Sequence, residues 1–187
     1  MEAVLMSINP KRCELIALGK KTVEVRKTRP KLKTPFKCYI YCTEKDYDKT
    51  FCIDKFMHKV FLDGNGKQKV IGEFVCEDIT DIRYHEAANG YSVAMLHPLC
   101  DYFAESTCLK YEELHNYLQR SNGYGWHISE LVIYDAPREL REFSHTQEYI
   151  NKIRMSVSHW EYGIDDECAR PLRKPPQSWC YVEEAYR

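Results

Sequence analysis

The sequence predicts an α+β fold, a mixed and mainly antiparallel β-barrel with peripheral helices. Three observations carry that expectation: several short segments of strand length, a helix pattern directly after the first of them, and no repeating strand–helix–strand rhythm. At 187 residues the chain suffices for one domain with a proper core, or a core with long insertions, whereas two full domains would be cramped.

The first element, Ala3 to Ile8, is a mostly apolar run short enough for a buried strand. Asn9-Pro10 then reads as an N-cap and a first-turn proline opening a helix through Cys13, Leu15, Ile16 and Leu18. Gly19 closes it, since glycine tolerates the left-handed conformation after a last turn. Beyond it, Val23 and Val25 alternate with Thr22, Glu24 and Arg26, which predicts a strand with one apolar and one polar face. Arg29-Pro30 and Thr34-Pro35 bracket a basic loop.

Phe36 to Thr43 reads as a second well-populated strand. Residues 44–69 read as an excursion that ends near the turn signal Asp63-Gly64-Asn65-Gly66. Val70 to Ile82 is the longest strand candidate, and Gly72 inside it suggests a bulge or a close approach by a ligand or another backbone. One or two short helices are expected between Tyr84 and Cys108. Tyr111, Leu114, His115 and Leu118 recur at helical spacing, and Gly123 ends that element. The run Gly123-Tyr124-Gly125-Trp126-His127-Ile128 leads into a strand at Leu131 to Tyr134 that Pro137 closes. An amphipathic helix is expected from Thr146 to Met155, then an irregular passage to Pro176, and a closing strand from Gln177 to Val182.

The hydrophobic share of 44% and charged share of 29% are ordinary for a globular protein, while 13% aromatic, led by 14 tyrosines, is rich. No run of about 18 apolar residues exists that could span a bilayer, so no membrane association is expected. The amino terminus lacks the basic-then-apolar order of a signal peptide, and a cytoplasmic protein is expected. Nine cysteines without a CxxC pair indicate reduced, structural thiols rather than a disulfide framework or a zinc site. The seven histidines fall in no metal-binding spacing, and no cofactor is expected.

Net charge is −1, but its distribution is uneven. From Lys20 to Lys37 there are eight basic residues (Lys20, Lys21, Arg26, Lys27, Arg29, Lys31, Lys33, Lys37) against Glu24 alone, a net of plus seven. The rest of the chain therefore carries minus eight. Such a stripe favours an anionic ligand, although a solvated basic loop gives the same pattern. Lys20 and Lys21 have a structural reason of their own, because cations at a helix's carboxyl end complement its dipole.

With no GxSxG motif and no Gly-rich phosphate loop, the commonest hydrolase and kinase classes are excluded. Lys21, Glu24, Arg26 and Glu73 remain as a group that could hold a phosphate or nucleobase while a carboxylate accepts from amino groups or acts as a base. Glu73 either points to solvent or faces the same cavity as Glu24. Tyr124 and Trp126 could set rings against a base or sugar, or pack in the core.

The stretch Gly19-Lys20-Lys21-Thr22-Val23-Glu24-Val25-Arg26 resembles the G-x-K-x-x-E-x-R signature of the activating-signal-cointegrator homology (ASCH) domain, a PUA-like β-barrel. Val70-Ile71-Gly72-Glu73-Phe74, Gly123 to Ile128 and Pro175 to Tyr181 are similar to its bacterial and phage-associated branch. The resemblance runs from the amino terminus to about residue 135 and returns at the closing strand. It implies one ASCH/PUA-like domain over residues 1–187 with insertions at 44–69 and 136–174, and a cleft that receives RNA or a modified nucleoside. Some members are amidohydrolases of N4-acylated cytidines, using a lysine, a threonine and a glutamate, and others are ribonucleases. Lys21 matches the lysine, but Glu24 occupies the threonine position, which removes the hydroxyl nucleophile, and Glu73 is the candidate for the acid.

The expectation is therefore an RNA- or nucleotide-binding domain with a basic cleft. Its wall would be Lys20, Lys21, Thr22, Glu24, Arg26, Tyr124 and Trp126. A hydrolase using Lys21, Glu24 and Glu73 is the alternative. A third is a protein-interaction module using the 136–174 segment, its partners unknown.

Overall fold

Strand formation follows the apolar pattern. The computed structural model describes residues 2–43, 68–86, 92–96, 100–156 and 170–185. The chain divides into two compact units: Met1–Cys13, Lys37–Phe74 and Val132–Arg187 form the first, Glu14–Phe36 and Val75–Leu131 the second.

In the first unit, β1 (Glu2–Ile8) is buried from Ala3 to Ile8. It pairs in parallel with β3 (Phe36–Cys42) and antiparallel with β7 (Trp179–Glu183), so that Leu5 lies opposite both Tyr39 and Cys180. A strand paired on both edges and buried along its length has no solvent face, which accounts for its mostly apolar run, and the Ser7 hydroxyl within it donates to the Pro176 carbonyl at 2.6 Å. The core of this unit is built on Ala3, Leu5, Tyr39, Tyr41, Val70, Phe143, Leu172 and Val182. Two long strands run through both units: β4 (Lys69–Glu86) and β6 (Gly123–Glu139). Gly72 of β4 is where backbones approach closely, as its sequence position suggests. A side chain there would collide with the carbonyl oxygen of Val132 and with Ile133.

In the second unit, β2 (Val23–Arg26) pairs antiparallel with β6, and β5 (Ser92–Leu96) pairs antiparallel with the end of β4. Its core joins Val23, Val25 and Ile82 to Phe103, Leu109, Leu114 and Leu118. These last come from α2 (Cys100–Thr107), α3 (Tyr111–Leu118) and the residues between them. Helix α1 (Pro10–Ala17) follows β1, and α4 (Gln147–Ser156) follows a 3-10 turn at Leu140–Glu142.

Three expectations need correction. Pairing runs as an open path, β2-β6-β4-β3-β1-β7, with β5 at the side of β4, so the seven-stranded sheet is not closed into a barrel. Closure depends on tilt and stagger accumulated over many pairings, and local periodicity carries no trace of either. The strand expected at Leu131 to Tyr134 is the middle of β6, which takes in Gly123 to Ile128 before it and Pro137 after it. β5 lies where short helices were expected, although α2 fulfils part of that expectation. The turn at Asp63-Gly64-Asn65-Gly66 lies outside the described residues.

Cys13, Cys38, Cys42, Cys76, Cys108 and Cys180 form no disulfide among the described residues. Burial pushes the thiols of Cys76 and Cys180 up to about 12.

His145 enters the first unit between the 3-10 turn and α4, giving its N–H to the Arg170 carbonyl at 2.7 Å and stacking on Tyr149 with ring centroids 4.3 Å apart. Its Nδ1 is buried without a hydrogen-bond partner among the described residues. Burial holds the imidazole below its ordinary value of 6.5, because the charged form would lose its hydration. As pH falls through about 6.5 the unfolded chain takes up a proton that the folded chain refuses, so stability declines on the acid side. Urea denaturation across this range should show a shallower acid loss for His145→Gln than for the parent chain; superimposable pH profiles would contradict this account.

Candidate functional site

The site begins at the end of α1. The Asn9 side chain caps the helix by accepting from the Arg12 N–H at 2.9 Å. At the other end Gly19 has φ of 68°, with its N–H bonded to the Ile16 carbonyl and the Lys20 N–H bonded to that of Leu15. This is the Schellman arrangement, and it turns the chain directly into Lys21. The Thr22 N–H then bonds to the Ser106 carbonyl at 2.9 Å, and its own carbonyl accepts from Ile128.

All four residues of β2 are buried, so the face expected to line an open cleft is covered. Lys21 and Glu24 are each 1% exposed and Arg26 7%. Lys21 Nζ lies 3.2 Å from one Glu24 carboxylate oxygen, and an Arg26 guanidinium nitrogen lies 3.1 Å from the other. The ammonium also donates to the carbonyls of Val23 at 2.8 Å and Thr107 at 2.7 Å. The ammonium thus has two carbonyl acceptors and a carboxylate oxygen at ion-pair distance. The arrangement pins the end of α2 to the start of β2.

The β2–β6 register sets Glu24 opposite Trp126 and Arg26 opposite Tyr124, which brings the expected aromatics onto the expected strand face. Trp126 is fully buried, with Phe36 edge-on at 5.6 Å, and it packs as core. Tyr124 is half-buried, and the Arg29 guanidinium lies over its ring at 5.5 Å. Lys20 and Thr22 are exposed at the margin.

Glu73 belongs to the first unit and has its own surroundings. Tyr134 donates to its carboxylate at 2.6 Å, and Lys37 lies 3.7 Å from the other oxygen while pairing with Glu184 at 3.0 Å. Burial first, and then the carboxylate beside it, push the Tyr134 hydroxyl well above the usual phenol range.

An open concavity of the second unit lies on the loop after β2. A cavity of about 590 Å³ is lined by loop residues 29–34, including Arg29, Lys31 and Lys33, together with Asp78 and Ile79 of β4. Close by in sequence on β4, the Thr80 hydroxyl and His127 Nε2 are 2.8 Å apart. The loop cations were visible in sequence as part of the basic stripe, but Asp78 carries no local signal, because only strand pairing relates it to them. Among the described residues, no group of three or more His, Cys, Asp or Glu residues is placed to hold a metal ion.

Removing one partner from a buried ion network leaves an uncompensated charge, at a cost of about 3–5 kcal/mol. Lys21→Met should therefore lower unfolding stability by that order in chemical denaturation, with Glu24→Gln close behind. Variants as stable as the parent would show that the network is not a structural tie.

No family model matches the chain, and no curated protein matches it. In three dimensions it is similar to the crystal structure of ASCH from Zymomonas mobilis, with a TM-score of 0.54 at 17% identity over 97% of this chain and 88% of that one. A serine-to-alanine mutant of the Zymomonas mobilis protein gives 0.55 at 16% identity, over 98% and 89%. A tyrosine-to-phenylalanine mutant gives 0.54 at 16% identity, over 98% and 91%. At this level of identity the likeness concerns architecture, and the chain has the ASCH fold.

Proposed function

We propose that the chain binds RNA or nucleotides as a single ASCH/PUA-like domain over residues 1–187, with insertions at 44–69 and 136–174, and that it acts in the cytoplasm. The observation that carries this reading is the cavity of about 590 Å³ under the basic loop, with Arg29, Lys31 and Lys33 in its lining. All three are exposed. Its volume is in the usual range for small-ligand sites, and exposed cations beside a half-buried tyrosine suit a phosphate backbone with an unstacked base. The fold shared with ASCH structures agrees with this reading.

Relative to the initial expectation, the binding surface moves outward from β2. Lys21, Glu24 and Arg26 support the loop from beneath, while Lys20, Thr22 and Tyr124 lie where a ligand can reach them. The hydrolase alternative, an N4-acylcytidine amidohydrolase or a ribonuclease using Lys21 and Glu24, has less support. The Lys21 ammonium donates to two buried backbone carbonyls, and Glu24 lies between two cations. The protein-interaction alternative rests on the length of the 136–174 segment alone.

Fluorescence anisotropy with a labelled single-stranded RNA tests the proposal. Binding should be measurable at low salt and weaken steeply as salt is added, with the slope of log K against log salt reduced by about 0.7 for each phosphate contact removed. Lys31→Ala with Lys33→Ala should lower both affinity and slope. Absence of binding at low salt, or binding indifferent to this double substitution, would overturn the proposal.

A further inference from the structure

The cavity beneath the basic loop is not uniformly cationic. Asp78, exposed on β4, lines it with Arg29, Lys31 and Lys33. A carboxylate there opposes the binding of a bare anion, since like charges repel. Nor does it act as a counter-ion for the loop, because its side chain makes no ion pair or hydrogen bond among the described residues. An acceptor kept open inside a basic cavity suits a ligand that is anionic at one end and a hydrogen-bond donor at the other. Leu32 and Ile79 add half-buried apolar surface to the same lining.

Phosphate, a hydroxyl donor and a flat apolar face occur together in a ribonucleotide unit. We propose that this cavity is a ribose-reading nucleotide pocket, in which Arg29, Lys31 and Lys33 hold phosphate and the Asp78 carboxylate accepts a hydrogen bond from the 2′-hydroxyl. The inference rests on the RNA- or nucleotide-binding reading above and adds to it the group that separates RNA from DNA, since the 2′-hydroxyl is what a protein can use for that distinction. It also gives a role to a residue outside the β2 stretch.

Charge alone and ribose recognition predict different results for Asp78→Ala. Removing a negative charge should tighten RNA and DNA binding alike. Removing a ribose acceptor should penalise RNA only.

The experiment is an anisotropy titration of the full chain with labelled oligo(U) RNA and oligo(dU) DNA of equal length, with UMP and dUMP as competitors. The parent chain should prefer RNA by roughly tenfold or more, the worth of a hydrogen bond to a charged acceptor. Asp78→Ala should reduce that ratio to within about twofold of unity, and Asp78→Asn, which keeps an acceptor without its charge, should give a ratio between the two. Competition by UMP but not dUMP assigns the pocket to free nucleotides as well. Competition by neither, with the Asp78 effect intact, assigns it to a unit within an RNA chain. Equal affinity of the parent chain for RNA and DNA, or a ratio unmoved by Asp78→Ala, overturns the inference while leaving general nucleic-acid binding in place. Failure to bind either polymer or UMP overturns both.

Discussion

The buried ammonium of Lys21 is the constraint on which the second unit's site depends. An ammonium taken out of water needs acceptors and a counter-charge, and here the Val23 and Thr107 carbonyls accept from it while the Glu24 carboxylate lies at ion-pair distance. Meeting that requirement fixes where α2 ends relative to β2. It also sets the Glu24 carboxylate where Arg26 can reach its other oxygen. The strand then leaves this interior as the exposed loop from Lys27 onward. A charged signature that looks like a ligand wall in one dimension is, in three, a buried network at the foot of an exposed basic loop.

This division of labour also explains the two aromatics beside it. Tyr124 and Trp126 lie on the same face of β6, two residues apart, opposite Arg26 and Glu24. Trp126 sits deeper, against Phe36, and serves the core, whereas Tyr124 sits at the margin beneath Arg29. Gly125 between them has no side chain because one would press on the Phe103 ring, 2.8 Å from where its first carbon would stand. A short glycine–aromatic stretch thus satisfies the helix on one side of the sheet and the loop at its end.

Much of the fold was legible where the signal is local. The Asn9 cap, the left-handed Gly19, the alternation of β2 and the tight approach at Gly72 all follow from side-chain chemistry or backbone freedom at single positions. What escaped depends on residues distant in sequence. Alternation showed that Glu24 and Arg26 share a face, but that this face is buried, and that Lys21 beside it reaches the Thr107 carbonyl, depends on residues far along the chain. The basic loop was countable, yet its cavity required Asp78 and Ile79 from β4. Whether the sheet closes was equally invisible, since an open and a closed sheet use the same alternating strands.

Strand β7 lies against β1, so the pairing of residues 179–183 with residues 2–6 spans nearly the whole described chain. During synthesis the first unit's sheet cannot be completed until that late segment emerges, because β1 must wait for one of its two neighbours. The second unit draws only on residues up to Leu131, so its strands and helices are all available earlier. Domains fold as their segments leave the ribosome, and long-range pairings carry the larger loop-closure cost. The architecture therefore gives biosynthesis a direction: the half that holds the basic loop can organise first, while β1, buried from Ala3 to Ile8, depends on the last of the described strands for its completion.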